Sequence, residues 1–515
     1  MAISISGKSL AAIDRNDPRY KALSRAHQRI AAKDPHTWGP EASEEAAIRL
    51  NWVDLPETTQ LLADELTALC ARFHSHSRVI LCGMGGSSLA PEVLAKTFGK
   101  EIFIVDSTDP HYIAHSIQSG LHDAVIVVSS KSGSTIETSS QRAFFEAALV
   151  EADLDPVSHM VFVTDPGSPL DSEVRSKGFA VINADPNVGG RFSALSAFGA
   201  VPAALAGINP IALLTSASAA KRNFLTNPQD ILDVAYLLSY VADQCISFTD
   251  AGCDIPGLSD WIEQLIAEST GKDGRGRLPI VVHTLPQDGT FGVRFAGNSG
   301  DLIVQGEVGE HFIFWEWVTA LIGFSLSIDP FNQPNVTEAK EQTLALLSEW
   351  DSNGVVTVHA PYADAVDGCV EIFGSGTSIT QSLAALIEST DPDGYIAIMA
   401  YMDRIGDRDL EELRDLIAAA SGRPTSFGWG PRFMHSTGQF HKAGQPNGSF
   451  IQITTNEFAH NFEIPGRAFD FATLVSAQGL GDGRALMKRK YPLTRFHLRN
   501  RAVGISELLQ AAREL

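Results

Sequence analysis

Short apolar runs alternate with longer segments of helical periodicity over much of the first 210 residues. The runs are Val79–Leu81, Ile102–Val105, Ala124–Val128, Met160–Val163 and Phe179–Ile182. They recur about every 20 to 35 residues, and a run that is apolar throughout is typical of a strand buried on both faces. Strands that alternate with helices in this way predict a parallel, doubly wound α/β sheet.

The same pattern continues after residue 265 and divides the chain. The predicted parts are an N-terminal helical arm (1–75), a first α/β domain (76–209), a second one (210–345) and a C-terminal α/β unit (346–515). Residues 210–265 are predicted to be mainly helical. The further predicted strands are Pro279–Val282, Leu302–Val304, Val355–His359, Tyr395–Ala400 and Phe450–Ile453, and the further helices are Phe312–Leu326 and Asp409–Ala420.

The turn after the third predicted strand is rich in hydroxyl side chains. Residues Ser129–Thr138 also contain Lys131 and one glycine, and a helical pattern follows them. The first turn of a helix offers unpaired N–H groups and a positive dipole end, and hydroxyl groups add donors. Ser and Thr also cap helices for structural reasons alone, but this turn holds more of them than capping needs. We therefore predict a phosphate site here.

The turn after the first predicted strand, Gly83–Ser88, allows two interpretations. Gly83 and Gly85, with Asp106 at the end of the next strand, resemble a dinucleotide-binding fingerprint. Ser88 stands where that fingerprint has its third glycine, and a dinucleotide needs no hydroxyl-rich turn after the third strand. We favour two turns of one sheet that converge on a single phosphate, and NAD binding stays open as the alternative.

Two later stretches carry charged side chains next to glycines. Gly189 and Gly190 precede Arg191, and a glycine-rich basic loop follows Glu268. Glycines let a backbone approach a ligand closely. Taken alone, however, Arg191 is better explained as a surface arginine after a loop, and without its glycine-rich basic surroundings Glu268 would be better explained as a solvated loop acid.

Composition narrows the classes of function. The chain has 515 residues and a formal net charge of −22, which argues against nucleic-acid binding through clustered Lys and Arg. Its five cysteines are scattered and form no CxxC pair, so we expect neither disulfides nor a zinc ribbon. The start of the chain shows no secretory signal, and no run of 18 apolar residues predicts a membrane span. These features predict a cytoplasmic protein that binds neither nucleic acid nor membrane.

Five stretches together resemble the phosphoglucose isomerase family, which is built from sugar-isomerase (SIS) domains. They are Gly83–Ser87, Ser130–Thr138, Gly189–Ser193, Glu268–Lys272 and Asp329–Lys340. Each is moderately specific, and their occurrence in the family's order is highly specific. The tail segment Gly430–Lys442 is most similar to the isomerase half of bifunctional transaldolase/glucose-6-phosphate isomerases.

The resemblance implies SIS-type doubly wound parallel sheets flanked by helices. It also implies interconversion of glucose 6-phosphate and fructose 6-phosphate through ring opening and a cis-enediolate. Glu268 would be the base, Arg191 would stabilise the enediolate, and His435 with Lys340 would open the sugar ring. The implied substrate-binding residues are Gly85, Gly86, Ser87, Ser130, Lys131, Ser132, Thr135, Glu137 and Gln333.

One departure concerns the ring-opening histidine. Bacterial members usually carry it in a Leu-His-Ser-Met-Gly-Gln-like string soon after the Glu-Ser-x-Gly-Lys loop, and that string is missing from Leu278–Gly300. A similar string, Met434–Gln439, appears much later, which favours His435. His283, His311 and His441 are the fallbacks.

No cofactor or metal is expected, because arginine alone can stabilise an enediolate. The pairs His111/His115 and His74/His76 lack carboxylates at ligand spacing. The expected partner is a small sugar phosphate, with the chain a monomer or a homodimer. The alternatives are an isomerase that also accepts mannose 6-phosphate, and a non-catalytic SIS regulator, which would need neither Glu268 nor Lys340.

Overall fold

The computed structural model describes residues 3–284, 286–334, 341–348 and 363–515. The chain divides into two compact units. The N-terminal unit comprises residues 1–106, 119–286 and 291–332. The C-terminal unit comprises residues 107–118, 287–290 and 333–515.

The first sheet of the N-terminal unit is the one that the apolar runs predicted. Its strands are β2 (Arg78–Cys82), β3 (Ile102–Val105), β4 (Ala124–Ser129), β5 (Met160–Thr164) and β6 (Ala180–Asn183). They lie in the order β3-β2-β4-β5-β6, and every neighbouring pair is parallel. All of β4 is buried, as expected for a central strand of a doubly wound sheet. The predicted fold class is confirmed.

The second sheet of the N-terminal unit has the order β1-β10-β9-β7-β8. Its strands are β1 (Ser4–Ser6), β7 (Cys245–Thr249), β8 (Leu278–Val281), β9 (Phe291–Arg294) and β10 (Leu302–Gln305). Residues 210–265 are mainly helical, as predicted, and strand β7 is an exception: its Ser247 and Thr249 interrupt the apolar run, yet both are buried. Strand β1 adds antiparallel to the edge of the sheet, within the arm predicted as helical.

The sheet of the C-terminal unit has the order β11-β12-β16-β15-β13-β14. Its strands are β11 (Ala365–Asp367), β12 (Val370–Phe373), β13 (Tyr395–Ala400), β14 (Thr425–Trp429), β15 (Gly448–Thr455) and β16 (Leu493–Leu498). Strands β14, β13, β15 and β16 are parallel, whereas β11 and β12 are antiparallel. Strand β13 has its predicted bounds. The predicted strand at 355–359 lies outside the described residues.

Helices cover the sheets, and many begin at a capped proline. Asp17-Pro18, Asp109-Pro110 and Asn209-Pro210 each place a side-chain acceptor at the N-cap and proline at the first helical position. The α-helices of the described residues are α1 (Pro18–Ala31), α2 (Ser43–Arg49), α3 (Leu55–Thr58), α4 (Ala63–Arg72), α5 (Leu89–Thr97), α6 (Pro110–Ile117), α7 (Ile136–Glu151), α8 (Pro156–His159), α9 (Pro169–Ser176), α10 (Ala197–Leu205), α11 (Pro210–Thr226), α12 (Gln229–Tyr236), α13 (Leu258–Thr270), α14 (Val308–Leu326), α15 (341–348), α16 (Ile379–Ser389), α17 (Glu412–Ser421), α18 (Gly438–Ala443), α19 (Phe471–Lys488) and α20 (Arg501–Arg513).

Shorter helical turns connect these elements. The 3-10 helices are Lys8–Ala12, Pro35–Trp38, Asn51–Asp54, Thr59–Leu62, Gly85–Ser87, Gly190–Phe192, Arg408–Glu411 and Arg432–His435, and Leu237–Val241 is a π-helix. Helix α14 is apolar and almost entirely buried, and Glu307 and Glu310 form a capping box at its start. In the part of the chain that the structure describes, no helix is long and apolar enough to cross a membrane.

Candidate active site

The hydroxyl-rich turn connects the central strand β4 to helix α7. The Ser130 hydroxyl accepts the N–H of Gly133 at 3.1 Å, and the Ser132 and Ser134 hydroxyls lie 2.6 Å apart. Gly133 has a φ of 75°, and a Cβ there would overlap Leu170, so the turn requires glycine. Thr135 occupies the N-cap of α7, and its side chain makes no capping hydrogen bond. This geometry suits an anion at the N-terminus of α7.

Lys131 holds this turn against another part of the N-terminal unit. Its Nζ lies 3.0 Å from the carboxylate of Asp165 and donates to the carbonyl of Val188 at 2.9 Å. Burial lowers the pKa of Lys131, and Asp165 opposes that effect. The prediction that Lys131 contacts the substrate stays open, and the structure assigns it these intramolecular bonds. Glu137, predicted beside it, is buried in the first turn of α7.

The two glycine-rich turns lie against each other. A Cβ on Gly86 would collide with the carbonyl of Gly190, so both backbones approach more closely than a side chain allows. A Cβ on Gly83 would come within 3.4 Å of Ser129 at the start of the hydroxyl-rich turn. The three turns are therefore contiguous. Asp106, the acid of the dinucleotide interpretation, is fully buried, which does not suit a contact with a ribose.

Glu268 and Arg191 form a buried ion pair. Glu268 lies in the last turn of α13 and Arg191 in the 3-10 helix Gly190–Phe192, and Arg191 Nη1 is 3.2 Å from Glu268 Oε1. Gln264, one helical turn before Glu268, donates to Oε2 at 3.1 Å. Gln264 was not predicted from the sequence, although its i, i+4 spacing from Glu268 places both on one face of the helix. A desolvated carboxylate fixed from two sides has the properties of a general base.

Arg191 is fixed by the residues around it as well. Its Nε donates to the Ser269 hydroxyl at 2.9 Å, and its Nη2 donates to the carbonyls of Pro330 and Asn332 at 2.6 and 2.9 Å. Burial lowers the pKa of Arg191, and the nearby Glu268 carboxylate opposes that effect. The guanidinium is thus a rigid, preoriented charge next to the candidate base.

Lys272 joins the same cluster, although it was not among the predicted site residues. It is buried, and its Nζ donates to the carbonyls of Asp329 and Asn332 at 2.5 and 2.6 Å. Burial and the neighbouring Arg191 hold the pKa of Lys272 well below its usual value.

The remaining predicted residues are Gln333, Lys340 and His435. Gln333 is exposed and belongs to the C-terminal unit, and Lys340 lies outside the described residues. His435 also belongs to the C-terminal unit, where it is half-buried in the 3-10 helix Arg432–His435. Their roles remain predictions.

The fallback histidines differ in environment. His283 is exposed. His311 and His441 are buried, and burial lowers the pKa of each to about 3. Trp315 Nε1 donates to His311 at 3.3 Å, and the Tyr395 hydroxyl lies 3.1 Å from Nδ1 of His441. A neutral, buried imidazole of this kind is poorly suited to exchange protons with a sugar.

One of the two histidine pairs has a carboxylate beside it in the structure. His115 lies 2.9 Å from the Asp403 carboxylate, which the sequence spacing did not indicate. Among residues 3–284, 286–334, 341–348 and 363–515, no group of three or more His, Cys, Asp or Glu side chains is arranged to hold a metal ion.

Comparison with known proteins identifies relatives. Residues 68–272 match the family model of phosphoglucose isomerase. The chain is 34% identical over 238 residues to a glucose-6-phosphate isomerase of Campylobacter jejuni, which covers 43% of this chain and 57% of the relative. It is 29% identical over 280 residues to a probable glucose-6-phosphate isomerase of Haloquadratum walsbyi, which covers 52% and 61%. In both, the match spans less than two thirds of the relative's length.

A solved structure shows the same fold. A glucose-6-phosphate isomerase from Chlamydia trachomatis superposes with a TM-score of 0.53 at 19% identity, over 68% of this chain and 90% of that one. At this identity the likeness concerns the fold alone. The tail segment 430–442 lies outside the family match, so its resemblance to the bifunctional subgroup stays a prediction.

Proposed function

Because residues 68–272 match the family model of phosphoglucose isomerase, we propose that this chain interconverts glucose 6-phosphate and fructose 6-phosphate. The observation that carries the proposal is the buried contact between Arg191 and Glu268, 3.2 Å long. It lies within the matched segment, and Arg191 belongs to the glycine-rich turn that packs against Gly86. A base, a fixed cation and an anion-binding helix end are the groups that isomerisation of a sugar phosphate requires.

The phosphate would bind at the start of α7, among the hydroxyls of Ser130, Ser132 and Thr135, with Ser87 from the neighbouring turn. Binding this distant group supplies free energy that orients C1 and C2 of the sugar. We assign ring opening to His435 and Lys340, and an amide contact to Gln333, on the resemblance of their motifs. Lys131 and Glu137 remain candidates for contacts with the sugar hydroxyls.

Glu268 then moves the proton. Its carboxylate removes the proton from C2 of the aldose, and the electron pair of the C–H bond forms the enediolate. The protonated Glu268 is neutral, so the Arg191 guanidinium loses its partner just when negative charge appears on the enediolate oxygens. A cation already fixed by Ser269 and two carbonyls stabilises that charge without reorganisation. A proton then passes from O2 to O1 of the enediolate, and transfer of the proton on Glu268 to C1 gives the ketose and restores the carboxylate.

The direct test is a coupled assay of the purified chain with fructose 6-phosphate, with and without chelator. We expect chelator-insensitive turnover in the native chain, and Glu268→Gln should lower kcat by about 10³-fold. Glu263→Gln is the matched control on the same helix and should keep nearly full activity. Turnover of Glu268→Gln near the native rate would refute the assignment of the base.

Two extensions belong to the same proposal. Mannose 6-phosphate in the same assay distinguishes a strict isomerase from a broader one, and binding of sugar phosphate without any turnover would indicate a regulator. We further propose that the chain acts in the cytoplasm, as a monomer or a homodimer. Light scattering during size-exclusion chromatography decides the oligomeric state.

A further inference from the structure

Lys272 ends the motif that begins with Glu268, but the reaction described above leaves it without a role. It is 3% exposed, and its Nζ donates to two backbone carbonyls, those of Asp329 and Asn332. Taking an ammonium group out of water is costly, and backbone carbonyls compensate it less than a carboxylate would. An apolar side chain would fill such a place at lower cost, so stability alone is a poor explanation for this lysine.

One of the two carbonyls that Lys272 binds also accepts a hydrogen bond from Arg191. The carbonyl of Asn332 accepts both Lys272 Nζ, at 2.6 Å, and Arg191 Nη2, at 2.9 Å. Arg191 Nη2 also donates to the carbonyl of Pro330. Lys272 and Arg191 therefore both donate hydrogen bonds to one short backbone segment, 329–332.

The segment is itself tightly wound. The Asp329 carboxylate accepts the N–H of Phe331 at 2.8 Å, and the Phe331 side chain is buried. Removing Lys272 would leave the carbonyl of Asp329 without its ammonium donor, and Arg191 would alone hold the carbonyl of Asn332. The guanidinium would then follow a looser backbone, and its distance to Glu268 would no longer be fixed.

We propose that Lys272 is a positioning residue of the isomerase site: it fixes the backbone of 329–332 so that Arg191 stays against Glu268. This inference rests on the proposed function. Its consequence lies in the transition state, where Arg191 must already stand at the place that the enediolate charge will occupy. Small misplacements of such groups reduce turnover about 10²-fold.

Arg277 offers a comparison with Lys272 outside the Arg191–Glu268 pair. It is half-buried, and its guanidinium donates to the carbonyls of Leu238 and Ser239 at 2.7 and 2.6 Å. Its backbone N–H donates to the Thr270 hydroxyl at 3.0 Å, a bond that a change of the side chain retains. The Arg277 side chain has no described contact with Arg191 or Glu268, so Arg277→Met removes bonds between a cation and backbone carbonyls while leaving the contacts of Arg191 and Glu268 in place.

The experiment compares kcat and KM of Lys272→Met and Arg277→Met with those of the native chain. We expect Lys272→Met to lower kcat about 10²-fold with KM changed less than threefold, and Arg277→Met to keep kcat within threefold. Lys272→Arg retains donors for both carbonyls, so its kcat should be at least tenfold higher than that of Lys272→Met. Equal losses of kcat in the two Met variants would overturn the inference. If Lys272→Met does not fold, Lys272→Gln replaces it with the same criterion.

A binding measurement separates this inference from the proposed function. Arabinonate 5-phosphate carries a carboxylate near the position of the enediolate, and arabinitol 5-phosphate is its uncharged counterpart. Lys272→Met should weaken calorimetric binding of the acid at least tenfold and of the alcohol less than threefold. Equal weakening would overturn the role of Lys272 even if the native chain isomerised rapidly. A native chain without turnover would instead refute the proposed function, and the ratio of the two affinities would still decide the role of Lys272.

Discussion

The two units present their motif residues in opposite ways. In the N-terminal unit, Arg191 and Glu268 are both buried and bond directly to each other. In the C-terminal unit, His435 is half-buried, whereas His441 and Lys442 of the same motif are buried and bond to the core. The comparison shows that motif residues bond directly to each other in one unit, whereas in the other a half-buried candidate side chain stands on a support of buried residues.

The support in the C-terminal unit is itself an ion pair. Lys442 Nζ lies 2.5 Å from the carboxylate of Asp482, and both side chains are almost completely buried. Arg489, which directly follows α19, donates to the carbonyl of Lys442 at 2.8 Å. This hydrogen bond is a second link between α18 and the end of α19. Arg191–Glu268 and Lys442–Asp482 thus have the same chemistry, but we assign reaction to the first and structure to the second.

Lys442→Met tests that distinction with the largest expected effect. Loss of one partner leaves the Asp482 charge buried and unpaired, which should cost about 3–5 kcal/mol of unfolding free energy. The change is measured by urea unfolding. The double variant Lys442→Met/Asp482→Leu removes both charges and should recover most of that loss. A double variant as unstable as the single one would show that the pair does not act as a structural unit.

Arg191→Lys should leave the fold largely intact and reduce turnover. A lysine keeps one positive charge but cannot reach Ser269, Glu268 and the two carbonyls at once. We expect kcat to fall about 10²- to 10³-fold in the coupled assay, as for other fixed groups that stabilise an oxyanion. Arg275→Lys is the control, because the described hydrogen bond of the Arg275 side chain goes to the carbonyl of Leu326 and not to Arg191 or Glu268. Equal kcat values for the two variants would remove Arg191 from the mechanism.

His435→Ala should affect cyclic sugars most. Ring opening needs proton transfer that an open-chain substrate does not, so we expect about a 10²-fold loss of kcat on fructose 6-phosphate. The loss on an open-chain analogue should be much smaller. Equal losses on both substrates would contradict a role in ring opening. The same assay with His283→Ala tests the exposed fallback.

The smallest expected effect is a pH dependence of stability that arises from the buried His441. The pKa of His441 is lowered to about 3 by burial, so the unfolded chain binds its proton first as the pH falls below about 6.5. Stability from the neutral imidazole is complete above that pH and is lost on acidification. Between pH 6.5 and 5.5 the unfolding free energy of the native chain should fall by about 1 kcal/mol more than that of His441→Leu. Urea unfolding at both pH values measures this, and an identical loss in the two proteins would contradict it.

Much of the fold followed from local patterns. Strands β2 to β6 were predictable because each is an uninterrupted apolar run between turn residues, and β13 was predicted with its observed bounds. Strand β7 was not, because its buried Ser247 and Thr249 look polar in sequence. Burial of such residues depends on neighbouring strands and helices that a short window of sequence does not contain.

The candidate site shows the same limit. The motifs identified Arg191 and Glu268 but not the bonds that fix them, because Gln264 lies one helical turn before its motif. Asp329 and Asn332 contribute carbonyl oxygens, which every residue has, so no residue type could reveal their contacts with Lys272. Lys131 was predicted for the substrate, and its bond to the carbonyl of Val188 is likewise invisible in sequence.

The central claim is that the buried Glu268 carries a proton between two sugar carbons. Isomerisation in deuterium oxide, followed by proton NMR of the sugar phosphates, tests it most directly. We predict that the native chain introduces deuterium at C2 of glucose 6-phosphate, and that Glu268→Gln binds the sugar phosphate but introduces deuterium at least 10³-fold more slowly. Exchange by Glu268→Gln at the native rate would contradict the account.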